Sequence, residues 1–371
     1  MPDTTEKTDL CSLTVPELEA YFASLGEPKY RAKQFFSAIA RGERFSGITT
    51  FPLSLRARLE ETAQYLVPEI AEKQVSALDG TTKYLMRMAD GEEVESVLML
   101  YEHGASLCVS SQVGCRMGCR FCASTIGGRI RDLLPSEIYG QVIAAGRDAG
   151  RRIDGIVMMG IGEPLDNLAN VLRFLTLVSA PEGLNIGLRH ISLSTCGLAD
   201  RIEELKRADL PITLSISLHA STDERRSAVM PVNDRYPLDT LLSACRDYFA
   251  ATGRRISFEY TLLRGENDSE EDARRLARLL RRYFPGSTPV HINLIRLNPV
   301  RERDYRSPDD AAAKAFCEAL CRMGMNATLR RRLGPDINAA CGQLRRSRIK
   351  ETGSPHTTER TVTDYANIRN D

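Results

Sequence analysis

Three cysteines lie close together in the sequence with the spacing CxxxCxxC. Cys115, Cys119 and Cys122 follow a short segment whose pattern predicts a β-strand. One tight loop of this kind can present three thiolates to one face of a cubane iron-sulfur cluster, which leaves the fourth iron with an open coordination position. A catalytic metal centre needs an open position, whereas a structural site fills every position with protein ligands. The spacing therefore favours a catalytic [4Fe-4S] cluster.

A structural zinc site or a group of buried thiols would use the same residue type. Zinc normally requires a fourth cysteine or histidine at a recognisable spacing. None of the five histidines forms such a pair with this loop. Three thiols in one short loop are more specific than scattered thiols, so we favour the cluster and keep zinc as the alternative.

A glycine-rich bend follows the next predicted strand, in the segment MGIGEP at 159–164. Gly162 allows a close approach of the backbone to a ligand, because it has no side chain. The carboxylate of Glu163 can accept a hydrogen bond from an ammonium group. Gly-Glu-Pro is also an ordinary turn sequence, but its place at the end of a strand favours a binding role for Gly162 and Glu163.

Polar residues also follow the third, fourth and sixth predicted strands. They include Ser194, the run Ser217, Leu218 and His219, and Asn298. In barrels of parallel strands, the carboxyl ends of the strands meet at one face and form the rim of the active site. A single histidine such as His219 is more often a core or capping residue, so the prediction depends on the repeated placement at strand ends.

Short β-type segments alternate with helical segments from about residue 106 onward. This βαβα order predicts a parallel sheet in an α/β fold. Six such units favour a partial (β/α)6 barrel of the TIM type, preceded by a small helical domain, over an open nucleotide-binding sheet. No GxGxxG follows the first strand and no P-loop occurs, which weakens dinucleotide and NTPase functions. The six predicted strands are Ser106–Ser111, Gly155–Gly160, Arg189–Thr195, Ile212–Leu218, Arg255–Leu263 and Val290–Leu297.

Breaks in pattern and composition predict four parts of the chain. They are a helical accessory domain at 1–75, a strand-rich extension at 76–100, the barrel with a C-terminal segment at 101–345, and a polar tail at 346–371. The 371 residues are 42% hydrophobic, which is enough for a sizeable core. No apolar run approaches the ~18 residues that cross a bilayer, and the N-terminus lacks a signal-peptide core. We expect a cytoplasmic protein, in which ten cysteines point to metal or redox chemistry rather than to a disulfide framework.

The CxxxCxxC spacing is the motif of the radical S-adenosylmethionine (SAM) superfamily, which the chain resembles. This resemblance implies that the open iron binds the amino and carboxylate groups of SAM. It also implies that one electron from the cluster cleaves SAM to a 5′-deoxyadenosyl radical. The polar residues at the strand ends would then surround SAM, with the bend at Gly162 and Glu163 facing its amino group.

Further motifs resemble the RlmN/Cfr family of RNA adenine methyltransferases along nearly the whole chain. The longest similar segment is DINAACGQL at 336–344, and the segment GEPKYRAKQ at 26–34 resembles the N-terminal helical domain of the family. The remaining similar segments are SSQVGC at 110–115, GEP at 162–164, SISLHA at 215–220 and MPVN at 230–233.

The resemblance implies an unusual methyl transfer that uses two molecules of SAM per turnover. Carbon 2 of adenine is electron-poor, so it offers no nucleophile to a conventional methyl donor. In the family, the residue matching Cys341 is first methylated, and a radical formed on its methyl group adds to the adenine ring. The residue matching Cys108 then forms a disulfide with Cys341 to release the product, and Glu95 occupies the position of the base that removes the ring proton. Without the resemblance, Glu95 would be read as an exposed strand residue.

The family resemblance implies adenine methylation at carbon 2 in the peptidyl-transferase region of 23S rRNA, and at the adenine next to the anticodon in tRNA. A flavodoxin or ferredoxin would supply electrons, and we expect a monomer. The alternative is the Cfr branch, which methylates carbon 8, because the segments 233–237 and 294–299 resemble it. The segments 122–125, 183–187 and 302–305 instead resemble RlmN members. A non-enzymatic iron-sulfur protein that binds RNA is a further alternative.

A net charge of only +1 means that RNA must be held by local basic patches. Phosphate contacts by such patches give affinity that depends on salt concentration. The target base must also leave its stack to reach a buried radical. The candidate basic residues are Arg296, Arg301, Arg303, Arg306, Arg330, Arg331, Arg332, Arg345, Arg346, Arg348 and Lys350, with Lys29, Arg31, Lys33, Arg41 and Arg44 in the N-terminal domain.

Overall fold

The structure is a computed structural model that describes residues 7–286, 290–300, 302–337, 342–345 and 348. Its strands are β1 (Thr8–Asp9), β2 (Ala63–Gln64), β3 (Glu69–Val75), β4 (Thr82–Arg87), β5 (Glu93–Tyr101), β6 (Gly104–Cys108), β7 (Gln112–Gly114), β8 (Arg129–Asp132), β9 (Gly155–Met158), β10 (Ile191–Thr195), β11 (Thr213–Ser217), β12 (Ile256–Leu262), β13 (Val290–Arg296) and β14 (Ala327–Leu329). Its helices are α1 (Val15–Ser24), α2 (Tyr30–Ala40), α3 (Leu53–Thr62), α4 (Pro135–Ala149), α5 (Leu168–Ser179), α6 (Ala199–Arg207), α7 (Asp223–Val229), α8 (Leu238–Thr252), α9 (Glu270–Tyr283) and α10 (Asp310–Arg322).

Seven neighbouring strands form the parallel part of a ten-stranded sheet, in the order β14-β13-β12-β11-β10-β9-β6. Each of the six predicted strands is present, and helices follow them as the alternating pattern predicts. Because helices cover the sheet, the middle strands are buried along most of their length, and every residue of β12 is buried. The prediction of an α/β partial barrel is confirmed, and the carboxyl ends of its strands meet at one face.

The other end of the sheet is antiparallel. The strands β3, β4 and β5 continue the sheet beyond β6, and we call them the antiparallel extension. Side chains along β5 alternate between its two faces, so Glu95, Val97 and Met99 share one face. The extension includes β3, which falls within the range assigned to the helical domain, and the four-part division of the chain remains a prediction.

The N-terminal helices pack around aromatic side chains and dock on the barrel. Helix α1 begins after Thr14, whose N–H and hydroxyl donate hydrogen bonds of 2.8 and 2.7 Å to Glu17 Oε2. The ring of Phe22 contacts those of Phe35 and Phe51 edge-on, at 5.8 and 5.7 Å between centroids. Glu17 also accepts a hydrogen bond of 2.6 Å from Arg173 of α5. A cluster of buried apolar residues therefore continues from this domain into the barrel.

Two short elements were not predicted from the sequence. The hairpin β7–β8 encloses the cysteine loop, and helix α7 follows the fourth strand of the barrel. Both are too short for a periodic pattern, and α7 has the highly charged sequence DERRSAV. In the described part of the chain, no helix is long and apolar enough to cross a membrane.

Candidate active site

The three cysteines of the CxxxCxxC loop line one cavity at the carboxyl ends of the parallel strands. Cys115, Cys119 and Cys122 share a cavity of about 240 Å³ with residues from the ends of β9, β10 and β11. The loop is held in place by backbone hydrogen bonds, including one of 3.0 Å from the Cys115 N–H to the Gly128 carbonyl. The hydroxyl of Thr125 donates to the carbonyls of Cys119 and Cys122, at 3.1 and 3.0 Å. The loop is thus fixed by its own backbone, which leaves the thiols directed to the cavity.

The chemistry of this donor set fits an iron-sulfur cluster. Burial and the nearby Cys122 thiol raise the pKa of Cys119 to about 12. Burial also raises the pKa of Cys115. Both thiols are therefore protonated until a metal binds and displaces the proton. Among the described residues, no three Cys, His, Asp or Glu side chains are grouped to hold a single metal ion. A cluster takes one thiolate on each of three irons, so the three cysteines need not surround one point.

The glycine-rich bend packs tightly against the segment that precedes the cysteine loop. Gly162 has φ +108°, and a Cβ on it would lie 2.6 Å from the Cβ of Gln112. Glu163 is buried, and its carboxylate accepts hydrogen bonds of 3.0 Å from the Leu165 N–H and 2.7 Å from the Cys196 N–H. Burial raises the pKa of Glu163, while those N–H donors act in the opposite direction. Glu163 therefore ties the ends of β9 and β10 together while it lines the cavity.

The structure places most of the predicted rim residues around the same cavity. Ser194, Ser217 and His219 line it together with Gly162 and Glu163. Two other predicted residues lie elsewhere, and the structure leaves their roles as predictions. The side chain of Leu218 is fully buried outside this cavity, and Asn298 lines the neighbouring cavity described below.

His219 is held in the cavity wall as a neutral imidazole. Its Nδ1 accepts a hydrogen bond of 2.9 Å from the Thr261 N–H, so its proton is on Nε2. Burial and the nearby Arg226 lower its pKa to about 3. Its backbone has φ +57°, which few residues other than glycine adopt. The ring contacts the Phe121 ring edge-on at 4.9 Å, next to the cysteine loop. His219 can therefore offer an N–H donor and a flat ring face, but not a positive charge.

Two buried charged residues of this site were missed in the sequence. Glu259 of β12 lines the cavity and accepts hydrogen bonds from Ser257 at 2.9 Å and Asn293 at 2.6 Å. Burial raises its pKa, which Arg330 counteracts. A carboxylate between Phe258 and Tyr260, the only charged residue of β12, is the signal that could have revealed it.

Arg226 of α7 is the second missed residue, and its side chain is 0% exposed. It donates to the carbonyls of Cys196 at 2.6 Å and Leu218 at 3.2 Å, and to Oδ1 of Asn233 at 3.0 Å. Burial lowers its pKa. It therefore ties the segments after β10 and β11 together beneath the cavity. It lies within a run of charged residues, a pattern typical of a solvated surface, which gives no sign of burial.

A second cavity of about 300 Å³ lies beside the first and shares part of its wall. Cys108 lines this second cavity at the end of β6, together with Cys122, Asn298 and Gln343. Phe121, Met159 and Thr261 line both cavities, so the two spaces are adjacent. The structure therefore brings Cys108, one residue of the cysteine loop and the C-terminal segment to one place.

The C-terminal segment lies between the cysteine loop and the antiparallel extension. Cys341 itself lies outside the described residues. Its neighbour Gly342 has φ +80°, and a Cβ there would lie 2.7 Å from Ser124 Oγ and 2.9 Å from the Ser124 N. Glu95 lies beneath this segment and is 0% exposed, which contradicts the reading of an exposed strand residue. Its role as a base remains a prediction.

Several of the predicted basic residues surround the mouth of the second cavity. Those that line it are Arg296, Arg330, Arg331 and Arg332. Arg303 reaches the cysteine loop, where it donates to Thr125 Oγ1 at 3.5 Å. Three others, Arg301, Arg346 and Lys350, lie outside the described residues.

Other basic residues of the predicted patches pair with acidic residues of the same chain. Arg345 lies 3.3 Å from Glu92, and Arg348 lies 3.4 Å from both Glu72 and Glu93. In the N-terminal domain, Arg31 pairs with Glu27, Lys33 with Glu182, Arg41 with Glu43 and Arg44 with Glu69. Their contact with RNA remains a prediction.

Comparison with known proteins identifies two regions of the chain. Residues 109–277 match the radical SAM superfamily, and residues 8–64 match the ribosomal RNA large subunit methyltransferase N-terminal domain. The first region contains the cysteine loop and four strands of the barrel, β9 to β12. The second contains the three N-terminal helices.

Whole proteins are similar along almost the full chain. A probable dual-specificity RNA methyltransferase RlmN of Clostridium botulinum (strain Eklund 17B / Type B) is 48% identical over 343 residues, which are 92% of this chain and 97% of that relative. A protein of the same name from Lachnospira eligens is 46% identical over 93% of this chain and 97% of its own length. The crystal structure of a radical SAM methyltransferase from Sphaerobacter thermophilus has 42% sequence identity and a TM-score of 0.84, and covers 91% of this chain and 98% of its own.

These similarities agree with the cavity that the three cysteines share and with the partial barrel around it. The predicted cofactors, a [4Fe-4S] cluster and SAM, are those of the superfamily that the chain matches. The chain belongs to the RlmN family of radical SAM RNA methyltransferases.

Proposed function

We propose that the protein methylates carbon 2 of an adenine in the peptidyl-transferase region of 23S rRNA, and of the adenine next to the anticodon in tRNA. The observation that carries this proposal is the second cavity. Cys108, Cys122 and Gln343 line it together, so the C-terminal segment meets the cysteine loop there. Relatives named dual-specificity RNA methyltransferase RlmN support the choice of RNA as substrate.

Two cysteines have different roles in this proposal. Cys341 accepts a methyl group to become S-methylcysteine, and the cluster with SAM supplies the radical chemistry that activates this group, at the cost of two SAM per turnover. Once the carbon on the Cys341 sulfur is bonded to the adenine, the Cys108 thiolate attacks that sulfur, which forms the S–S bond and breaks the S–C bond. The carbon keeps the electron pair and takes up a proton to become the methyl group, and a thiol reductant reduces the disulfide before the next turnover. Thiol exchange requires an accessible thiolate close to its target. The place of Cys108 in the cavity wall supports this role.

The neighbouring residues bind and orient the substrates. His219 and the end of β11 form one wall of the cofactor cavity, while Gly162 and Glu163 form another. The side chains of Val97 and Met99 give the second cavity an apolar wall against which a flipped adenine can stack. Arg331 and Arg332 at its mouth can neutralise the phosphates that flank the base.

We propose that the enzyme works as a monomer in the cytoplasm, where its RNA substrates are found. Its electron donor is a flavodoxin or a ferredoxin, because the cluster must be reduced by one electron. Recognition depends on RNA shape and unpaired segments, because only an extruded base can reach the cavity.

Mass spectrometry of adenine nucleosides tests the proposal. The reconstituted protein is incubated with SAM, a reductant and an unmethylated 23S rRNA fragment under anaerobic conditions, and we expect 2-methyladenosine. The Cys341→Ala variant should form none. Formation of 8-methyladenosine would assign the protein to Cfr-type chemistry. A cluster that yields no 5′-deoxyadenosine and no methylated adenine would indicate a non-enzymatic iron-sulfur protein instead.

A further inference from the structure

A buried ion pair lies beneath the C-terminal segment. Lys83 of β4 and Glu95 of β5 are 1% and 0% exposed, and Lys83 Nζ lies 3.0 Å from Glu95 Oε2. The two residues are diagonal neighbours, because Lys83 is opposite Val97 in the sheet. This pair belongs to the antiparallel extension and does not line either cavity of the candidate site.

The carboxylate of Glu95 also binds the backbone of the C-terminal segment at two points. Its Oε2 accepts a hydrogen bond of 2.8 Å from the Gly342 N–H, and its Oε1 accepts one of 2.7 Å from the Arg345 N–H. Both oxygens of Glu95 are therefore occupied by donors from a segment about 250 residues later in the chain.

Burial makes these two hydrogen bonds important. A charged pair that is removed from water loses its hydration, and the loss is offset only when further hydrogen bonds satisfy the remaining lone pairs. For Glu95, the N–H groups of Gly342 and Arg345 are such donors. When the segment leaves, a buried carboxylate loses both donors, and this cost opposes the departure. The ion pair and the position of the segment are thus coupled.

The segment held in this way lies against the cysteine loop. Gly342, which follows Cys341 in the sequence, packs so closely on Ser124 that no Cβ would fit. Gln343 donates a hydrogen bond of 2.8 Å to the carbonyl of Pro299, on the far side of the second cavity. The carboxylate of Glu95 therefore acts at the point where the segment crosses from the cysteine loop to the antiparallel extension.

We propose that Lys83 and Glu95 form a positioning pair, which holds the segment after Cys341 closed over the active site through its backbone amides. Lys83 orients the carboxylate of Glu95 through the ion pair, and Glu95 fixes Gly342 and Arg345. This role differs from that of a base, since a carboxylate engaged by an ammonium and two amides is poorly placed to accept a ring proton. The proposal rests on the proposed function in one respect, namely that Cys341 is the methyl carrier.

Two measurements on the full-length protein without RNA or SAM test this pair. The first is the rate at which N-ethylmaleimide alkylates Cys341, followed by mass spectrometry. The second is hydrogen-deuterium exchange of the peptide that contains residues 342–345. The variant Glu95→Gln keeps one acceptor oxygen but turns an amide NH2 toward a backbone donor. Glu95→Asp keeps the charge but is too short to reach both amides.

We expect both variants to accelerate alkylation and exchange by about tenfold, the effect of one lost charge-assisted hydrogen bond. Lys83→Met should accelerate alkylation and exchange to a similar extent. In Lys83→Arg, alkylation should stay slow, because arginine keeps a buried cation at this position. The matched control is Glu92→Gln, which removes an ion pair with Arg345 but leaves both amide hydrogen bonds, and it should change the rate by less than about twofold.

Alkylation of Cys317 on α10 provides an internal reference. A variant that loosens the whole fold would accelerate the reaction of Cys317 and Cys341 together, whereas the proposal predicts a change at Cys341 alone. If Glu95→Gln fails to fold, the same measurements are made on Glu95→Asp and Lys83→Met. Unchanged rates at Cys341 and in residues 342–345 of folded Glu95→Gln, Glu95→Asp or Lys83→Met would overturn the proposal. Because the assay contains no RNA, its outcome is independent of which adenine carbon is methylated.

Discussion

The parallel part of the sheet and the antiparallel extension build the active site in different ways. In the parallel part, the site residues come from consecutive strand ends, and the topology alone brings Glu163, Ser194 and Ser217 to one cavity. In the antiparallel extension, Glu95 reaches the site through contacts with a segment about 250 residues away in sequence. The first arrangement is set by chain order, and the second by individual side-chain contacts.

The two parts of the site also differ in how firmly their residues are held in place. The cysteine loop is enclosed by a hairpin, and Arg226 ties the segments after β10 and β11 together beneath the cavity. The C-terminal segment is held by hydrogen bonds to Glu95 of β5 and by ion pairs with Glu72 of β3 and Glu93 of β5. We therefore expect substitutions in the parallel part to affect the cofactor or the fold, and those at the segment to affect catalysis alone.

The largest effect is expected for the cysteine loop. Cys119→Ala removes one of three thiolates, and the anaerobically reconstituted protein should fall from about four iron atoms per chain to near zero. Iron analysis and the visible absorption spectrum measure this loss. Cys317→Ala, on α10, is the control and should keep its iron. A Cys119→Ala protein with a full complement of iron would show that this loop does not hold the cluster.

The next largest effect is expected for the buried guanidinium below the cofactor cavity. Arg226→Met leaves the carbonyls of Cys196 and Leu218 without a strong donor, which should lower the free energy of unfolding by about 3 kcal/mol. Urea denaturation measures this change in the free energy of unfolding. Arg201→Met, which removes an exposed helix pair with Glu204, should cost less than about 1 kcal/mol. Equal costs for the two variants would contradict a supporting role for Arg226.

A smaller effect, confined to catalysis, is expected where the C-terminal segment meets the cysteine loop. Gly342→Ala places a methyl group 2.7 Å from Ser124 Oγ, so the segment must shift. We expect a loss of methylation on the order of tenfold, with unchanged iron content, because a small displacement misaligns reacting groups. Gly265→Ala is the matched control, since its φ of +77° is similar but nothing lies within 4 Å of the added methyl group. If both variants lose activity equally, backbone strain rather than the close contact is responsible.

The smallest effect is expected at the amino end of the parallel strands. Burial and the nearby Arg255 lower the pKa of His291 to about 4. As the pH falls from 6.5 to 4, the unfolded chain binds a proton that the folded chain does not, so the free energy of unfolding decreases in this window. His291→Gln removes the contribution of His291 to this decrease in the free energy of unfolding. Urea denaturation at pH 7 and pH 5 should show a smaller decrease for the variant than for the wild type.

The same variant separates the two ends of the barrel. His291 hydrogen-bonds with Ser257 and Thr328, away from the cysteine loop, and glutamine can replace these contacts. We therefore expect methylation at pH 7 to be unchanged in His291→Gln. A large loss of methylation would mean that the amino end of the strands also shapes the active site.

Sequence patterns were sufficient for the parallel part of the molecule. Alternating strands and helices, the cysteine spacing and polar residues after several of the strands are local features, and a parallel sheet places them together whatever the details of packing. Short elements escaped this reasoning, because α7 and the hairpin β7–β8 are held by tertiary contacts rather than by periodicity. The buried charges of Arg226 and Glu259 escaped it as well, because burial depends on neighbours from other strands.

The order of residues along the chain was enough to predict the three thiolates for a cluster, the barrel and the face on which the site lies, and the family resemblance added SAM. The surroundings of Glu95 depend instead on tertiary contacts. An acidic residue in a strand reads as solvent-exposed, yet it is fully buried and holds Gly342 and Arg345. The physical reason is that the free energy of a buried charge depends on the donors that surround it, and these donors come from a segment about 250 residues away along the chain.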